Sequence, residues 1–190
     1  ASSAPSVSAD GRHVAFESYA DNLDARDRTR HKDVYVRDRQ TGRTEVVSLT
    51  SSGIMGNHIS GAPVLSGDGR YVLFESYASN LVPGDVNADW DVFLHDRQTG
   101  QTSLVSVSSS GVMGNDLRAE PAISDDGRFI AFTSYASNLV PGDTNLRTDV
   151  FVRDLQTGQT SRVSVDSAGG QGNASSGRAT LSADGRYVAY

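Results

Sequence analysis

The chain has 190 residues, of which 37% are hydrophobic and 19 are glycine, and its formal net charge is −6. The excess of acidic groups argues against a nucleic-acid partner, because phosphate binding requires a basic surface. The chain has no cysteine, which excludes disulfide bridges and thiolate sites. No stretch approaches the roughly 18 apolar residues that a membrane-spanning helix needs.

An internal repeat is the most informative feature of the chain. The motif Ser-x-Asp-Gly-Arg occurs four times, and its aspartates follow one another at a spacing of 58 residues. These aspartates are Asp10, Asp68, Asp126 and Asp184. We therefore interpret the chain as one segment, 1–190, with full repeats at 8–65, 66–123 and 124–181 and a partial repeat at 182–190.

Each repeat unit predicts four short strands, which we label a to d. Strand a is predicted at 62–66 (APVLS), and an Asp-Gly turn, the strongest short hairpin signal, connects it to strand b (YVLFES). A long loop that begins with Pro-Gly-Asp then leads to strand c at 91–96 (DVFLHD). The turn RQTG leads to strand d at 102–108, and a glycine-rich link at 109–115 leads to the next unit.

No segment shows a sustained helical period, so the sequence predicts an all-β fold. Four antiparallel strands in each of several similar units are typical of the blades of a β-propeller. A β-trefoil, which is also built from three four-stranded repeats, is the alternative.

The residues of the second unit carry a family resemblance. SGDGRYVLFES, followed by DVFLHDRQTG, resembles the PD40-type, WD40-like repeat of TolB-related β-propellers, and the resemblance covers the whole chain. It implies a propeller built of four-stranded blades. These units are longer than the usual repeat of about 40 residues. The additional residues lie in the Pro-Gly-Asp loop and in the glycine-rich link, where we therefore expect the functional residues.

The strand order predicts which loops are neighbours. Because successive strands are antiparallel, the b–c loop, which holds the Pro-Gly-Asp sequence, and the d–a link lie on one face, and the tight turns lie on the other. Loops on a rigid scaffold are the usual position of binding residues. We therefore expect the face with the b–c loops and d–a links to bind a ligand or partner.

The b–c loops hold candidate ligands for Ca²⁺. Oxygen-bearing side chains at alternate positions are how a short loop surrounds this ion. In the second repeat they are Asp85, Asn87, Asp89 and Asp91. In the third repeat they are Asp143, Asn145 and Asp149. The alternative is that these Asp and Asn side chains only form turns with the loop backbone.

Four further residues are candidates for contact with a ligand or partner. Trp90 is the single tryptophan and lies in a b–c loop, where it either stacks on a ligand or covers the loop backbone. The other three end the glycine-rich links and are Asn57, Asn115 and Asn173. Their amides either bind a ligand or cap the local backbone.

The sequence shows no catalytic constellation. The four histidines do not recur in register, and no nucleophile elbow, zinc-binding helix motif or phosphate loop is present. We therefore predict a non-catalytic binding or assembly module of an exported bacterial protein, secreted, periplasmic or at the cell surface. Its partner would be a protein or a glycan. The alternatives are the propeller domain of a hydrolase, either a peptidase or a glycosidase, and a lectin-like module.

The number of repeats leads to a last expectation. Propellers close with about four to eight blades, and three blades leave open strand edges that can pair with another chain. Residues 1–16 also match residues 175–190, as in a piece taken from a longer propeller. We therefore expect the 190-residue piece to self-associate through its blade edges.

Overall fold

The computed structural model describes residues 2–190, which form β-strands, turns and loops. None of these residues belongs to a helix long and apolar enough to cross a membrane. The strands are Ser2–Val7 (β1), His13–Ser18 (β2), Asp33–Asp38 (β3), Thr44–Val46 (β4), Ser60–Leu65 (β5), Tyr71–Ser76 (β6), Asp91–Asp96 (β7), Gln101–Leu104 (β8), Leu117–Ile123 (β9), Phe129–Ser134 (β10), Asp149–Asp154 (β11), Gln159–Arg162 (β12), Thr180–Leu181 (β13) and Val188–Ala189 (β14).

The strands form sheets in chain order. Strands β1 to β4, β5 to β8 and β9 to β12 form three four-stranded antiparallel sheets, and β13 pairs with β14. This is the strand order of propeller blades, so the predicted all-β, blade-type fold is confirmed. The trefoil alternative is wrong, because the sheets pair consecutive strands, whereas a closed barrel requires pairs between repeats.

Each sheet begins before the residue at which we started to count the repeat. Strand β5, for example, ends at Leu65, and the second repeat starts at the next residue. A blade therefore combines the last residues of one repeat with about the first two-thirds of the next.

The chain divides into two compact units. The first, Ala1–Leu104, contains two blades, and the second, Val105–Tyr190, contains the third blade and the β13–β14 hairpin. A stacked aromatic pair joins strands b and c in every blade, with ring centroids 5.7 to 5.9 Å apart. In the second blade these rings belong to a core with Val36, Val72 and Leu81. In both units consecutive side chains of strand b, such as 72–74 and 130–132, are all buried, so both faces of these strands are covered.

The Asp-Gly turns are held by the side chains of their own motif. Ser66 Oγ and Arg70 N both donate to Asp68 Oδ1, at 2.6 and 2.9 Å. The Arg70 guanidinium also binds the Asp96 carboxylate at the end of strand c through two bonds of 2.9 and 2.7 Å. That arginine lowers the pKa of Asp96 to about 2. The same contacts recur around Asp10 and Asp126, so these motifs are structural.

Candidate functional site

The b–c loop and the preceding d–a link are neighbours, as predicted. In the first unit Asn57 Oδ1 accepts a hydrogen bond from Ser79 N, and Asn57 Nδ2 donates to Ser79 Oγ, both at 3.0 Å. In the second unit Asn115 makes the same two bonds with Ser137. The amides of Asn57 and Asn115 therefore join link to loop, which agrees with the local capping interpretation. Asn173 is exposed in the last link.

The loop of the second blade contains a pair of buried acids, Asp85 and Asp91. Asn87 bridges them: its backbone N–H binds Asp85, and its Nδ2 donates to Asp91 Oδ2 at 2.8 Å. Asn87 Oδ1 accepts from Asp89 N, and Asp89 Oδ1 accepts from Trp90 N. Burial raises the pKa of Asp85. Side-chain-to-backbone bonds of this kind are those expected of residues that shape a loop.

The equivalent pair in the third blade, Asp143 and Asp149, already has a cationic partner. Arg162 Nη1 lies 3.6 Å from Asp143 Oδ1 and 3.9 Å from Asp149 Oδ2. Gln171 Nε2 donates to the same two oxygens, at 2.7 and 3.1 Å. These donors occupy the oxygens that a Ca²⁺ ion would need, and Asn145 directs its Nδ2 towards Asp149 at 3.1 Å. In the third loop these carboxylates are therefore already engaged by an arginine and by amide groups, and Ca²⁺ binding there stays a prediction.

In the first blade, hydroxyl groups bind the equivalent pair of carboxylates, Asp27 and Asp33. The Tyr35 hydroxyl donates to Asp27 Oδ2, and Thr29 Oγ1 contacts one oxygen of each carboxylate, at 3.2 and 2.8 Å. Burial raises the pKa of Asp33. In the described part of the chain, no three His, Cys, Asp or Glu side chains form a group suited to a metal ion.

A row of aromatic side chains crosses the loop-rich face of the first unit. The rings of His31 and His58 are stacked, with centroids 5.4 Å apart and planes at 15°. His58 lies 4.8 Å from Tyr77, and Tyr77 meets Trp90 edge to face at 6.0 Å and 73°. We call these four residues the aromatic row. His58 is exposed, and the other three are half-buried.

The aromatic row departs from the repeat. Three of its members, His31, His58 and Trp90, have no aromatic counterpart 58 positions later, where the chain has Asp, Asp and Thr. The blade fold therefore does not require them. The four histidines looked scattered in the sequence because none of them recurs in register in another repeat. The available signal was that His31, His58 and Trp90 all fall in b–c loops or d–a links, which share one face.

Each unit also contains a cleft on the loop face. The two clefts have volumes of about 530 and 510 Å³, and each residue that lines one has its counterpart 58 positions later in the other. Leu81 and Pro83 form part of the first cleft, and no charged side chain lines either one. Beside it, Ser51 Oγ accepts from Thr102 N at 2.9 Å and donates to Thr102 O at 3.3 Å. Ser51 thus satisfies the backbone N–H and carbonyl of Thr102 on β8, the last strand of the second blade. Self-association through such strand edges stays a prediction.

The buried histidine His95 is held by a hydrogen bond to Thr102. Its Nδ1 lies 2.9 Å from Thr102 Oγ1, and that hydroxyl donates its proton to the Leu49 carbonyl. Burial lowers the pKa of His95 to about 4, so the ring is neutral at pH 7. Both side chains are buried, at 6% and 7% exposure.

The comparisons with known proteins place the fold. The chain is similar to the structure of TolB from Acinetobacter baumannii, with a TM-score of 0.61 and 24% identity, over 100% of this chain and 37% of that one. It is similar to prolyl endopeptidases (TM-score 0.59, 17% identity, 98% of this chain and 25% of that one). It is also similar to the β-propeller domain of the Trilobed protease from Pyrococcus furiosus, with a TM-score of 0.54 and 12% identity, over 84% of this chain and 40% of that one.

No protein-family model and no curated protein sequence matches the chain. The chain thus has a TolB-like β-propeller fold and spans 25–40% of the length of the three proteins named above. At these identities the likeness concerns the fold alone.

Proposed function

We propose that the chain is a non-catalytic binding module of an exported bacterial protein, and that the aromatic row is its contact surface for a protein partner. The observation that carries the proposal is the row itself: four ring side chains in contact on the face formed by loops and links. Aromatic side chains are enriched at protein interfaces, where they supply large contact areas. Residues that depart from a regular repeat serve something other than the repeat.

The charge next to the row indicates the kind of partner. Arg28 and Arg30 directly precede His31 in the loop of the first blade, and both are exposed. We infer a partner segment that carries both acidic and apolar side chains. The edge-to-face meeting of Tyr77 and Trp90 gives no continuous flat platform for sugar rings, which favours a peptide over a glycan.

A peptide titration tests this proposal. The single tryptophan, Trp90, lies in the row and reports binding through its fluorescence. We expect a labelled peptide that alternates Glu and Phe to bind and to lose affinity in high salt, whereas a Lys and Phe peptide does not bind. Tyr77→Ala should weaken binding about tenfold or more, which corresponds to about 1.4 kcal/mol.

Tyr19→Ala is the matched control, because Tyr19 is the exposed counterpart of Tyr77 in the first blade and lies outside the row. Equal losses in the two variants, or equal binding of both peptides, would contradict the proposed surface. Binding of neutral oligosaccharides with the same dependence on Tyr77 would favour the glycan alternative.

We also propose that the second blade's loop binds Ca²⁺ weakly, through Asp85, Asn87 and Asp91. The contrast among the three loops supports this: the first pair engages a tyrosine and the third an arginine, whereas an amide, which can turn its oxygen towards a cation, bridges the second pair. Ca²⁺ sites of extracellular modules bind at about 10⁻⁴–10⁻³ M.

Millimolar Ca²⁺ should then raise the melting temperature of the wild type and of Asp143→Asn, but not of Asp85→Asn. An equal shift in all three proteins, or none in the wild type, would refute a site in this loop.

A second candidate function is the propeller domain of a peptidase, because the chain is similar to a quarter of the prolyl endopeptidase structure. Hydrolysis of fluorogenic peptides by the full-length gene product would support this candidate, provided that mutation of a serine outside the propeller abolishes it. Inactivity of the full-length product against a broad peptide library would leave the binding module as the function.

A further inference from the structure

A cavity of about 160 Å³ lies in the second unit, apart from the aromatic row. It is lined mainly by small polar side chains and by one carboxylate. The residues that matter for its chemistry are Glu120, Thr133, Thr148, Gly177 and Arg178. The corresponding position of the first unit shows why this space is open in the second.

In the first unit the corresponding space is filled by an ion pair. Lys32 Nζ lies 3.0 Å from Glu17 Oε2, and the same oxygen accepts a 3.0 Å bond from Ala62 N. A Cβ on Gly61 would collide with Glu17 Oε2 and approach Lys32 Nζ to 2.8 Å. The carboxylate, the ammonium group and the backbone therefore leave no room beside Gly61.

In the second unit both long side chains are replaced by threonine. Thr133 takes the position of Glu17, and Thr148 takes the position of Lys32, in each case 116 residues later, or two repeats. A Cβ on Gly177, the counterpart of Gly61, would lie 3.6 Å from Glu120 Oε2 and 3.7 Å from Thr133 Cγ2, which is ordinary contact. The cavity is the space that the lost side chains leave.

The negative charge of this position has nevertheless been kept. Glu120 Oε2 accepts a 3.0 Å hydrogen bond from Arg178 N, and Arg178 is the counterpart of Ala62. A carboxylate from strand a thus holds the backbone N–H that a carboxylate from strand b holds in the first unit. Arg178 contacts Glu120 through its backbone, and its side chain is exposed. The second unit has replaced the acid and lost the ammonium group.

A buried hydroxyl in the cavity wall gives independent support. Thr133 is 1% exposed, and its Oγ1 has no hydrogen-bond partner within the described structure. Buried polar atoms nearly always have a partner, so an orphaned one in a cavity wall indicates a missing group. That oxygen would lie 3.9 Å from a Cβ on Gly177, so it borders the same space.

We propose that this cavity binds a primary ammonium group, which takes the place of the Lys32 ammonium of the first unit. An ammonium group donates three hydrogen bonds, and the wall offers acceptors in the Glu120 carboxylate and the hydroxyls of Thr133 and Thr148. A carboxylate offers about four acceptor positions, so Glu120 can accept an ammonium group in addition to its other contacts. Engineered cavities of about 150 Å³ hold benzene. A volume of about 160 Å³ therefore admits the end of an alkylamine.

The ammonium group can come from a free alkylamine or from a lysine side chain of a partner. Calorimetric titration of the 190-residue chain with n-butylammonium and with Nα-acetyl-lysine methylamide tests both sources. We expect 1:1 binding of n-butylammonium and none of 1-butanol, which has a similar shape and no charge. Binding of the lysine derivative as well would assign the site to lysine side chains. Its failure to bind would restrict the site to small free amines.

Three variants test the assignment to this cavity. Gly177→Ala places a methyl group in the cavity, and Gly177 has no positive φ that a side chain would strain. Thr133→Val removes the orphaned hydroxyl at nearly constant shape. Each should weaken n-butylammonium binding about tenfold. Thr144→Val, which alters an exposed hydroxyl in the b–c loop, is the matched control and should leave the affinity unchanged.

The double variant Thr133→Glu with Thr148→Lys recreates the ion pair of the first unit. It should abolish amine binding and preserve or raise the melting temperature, because the chain's own ammonium group then fills the space. Three results would each overturn the proposal: equal binding of 1-butanol, no binding of n-butylammonium, and unchanged affinity in Gly177→Ala. The second would mean that the cavity holds only water.

Discussion

The buried His95 should make the protein sensitive to mild acid. The side chain is 6% exposed, and burial is the largest cause of its low pKa of about 4. Glu45 and Asp96 raise this pKa, and Arg97 and Arg26 lower it, but all four effects are smaller than that of burial. In the unfolded chain a histidine has a pKa of about 6.5.

The two pKa values define the direction and size of the effect. Because the folded pKa lies below the unfolded one, protonation favours the unfolded chain. The stabilisation is fully present above pH 6.5 and is lost as the pH falls towards 4. At 1.36 kcal/mol per pH unit, the difference corresponds to a loss of about 3 kcal/mol of unfolding free energy at pH 4.

Urea unfolding at a series of pH values, followed by circular dichroism, measures this loss. His95→Gln should remove most of the pH dependence between 6.5 and 4, because glutamine is neutral throughout and its amide can still contact Thr102. A smaller slope should remain, since burial also lowers the pKa of His13. His58→Gln, at an exposed ring, is the control and should keep the wild-type profile. If His95→Gln kept the full slope, the buried histidine would not be the cause.

Two further predictions concern packing and turns. Leu81 is 2% exposed in the core of the first unit, and Leu81→Ala should lower the unfolding free energy by about 2–5 kcal/mol. Val86→Ala, at an 85% exposed position in the same loop, should change the unfolding free energy by less than about 0.5 kcal/mol. Gly69→Ala and Gly100→Ala both place a side chain at a positive φ, of 69° and 74°, and should each cost about 1–2 kcal/mol. Gly69→Ala should cost more, because its Cβ would lie 2.6 Å from His13 Nδ1, whereas nothing lies within 4 Å of a Cβ on Gly100. Urea midpoints decide both comparisons, and equal losses within either pair would contradict the packing described.

The aromatic row and the ammonium cavity are both departures from the repeat. Where the three repeats agree, as in the Asp68 and Arg70 turn, the residues close hairpins and pair strands. Where they differ on the loop face or beside Gly177, the blade remains intact and the surface changes. In a repeat protein of this kind, comparison of equivalent positions therefore identifies the positions that the fold does not constrain.

The strands, the turns and the blade fold could be predicted from the amino-acid sequence alone. These depend on local features: alternating apolar residues form strands, and Asp-Gly at Asp68 closes a hairpin whatever the rest of the chain does. The 58-residue period then showed that the blade is repeated. It also placed the b–c loop next to the d–a link, because antiparallel strands fix the face on which each connection emerges.

Which side chains contact one another could be read only from the three-dimensional structure. Tyr35 and Arg162 reach equivalent carboxylates from different strands, and Glu120 replaces a carboxylate that the first unit takes from another strand. His31 lies in a b–c loop and His58 in the following d–a link, and their rings stack because this loop and this link converge. Such contacts join residues far apart in the chain, and their formation depends on packing and burial, which local pattern and period do not encode.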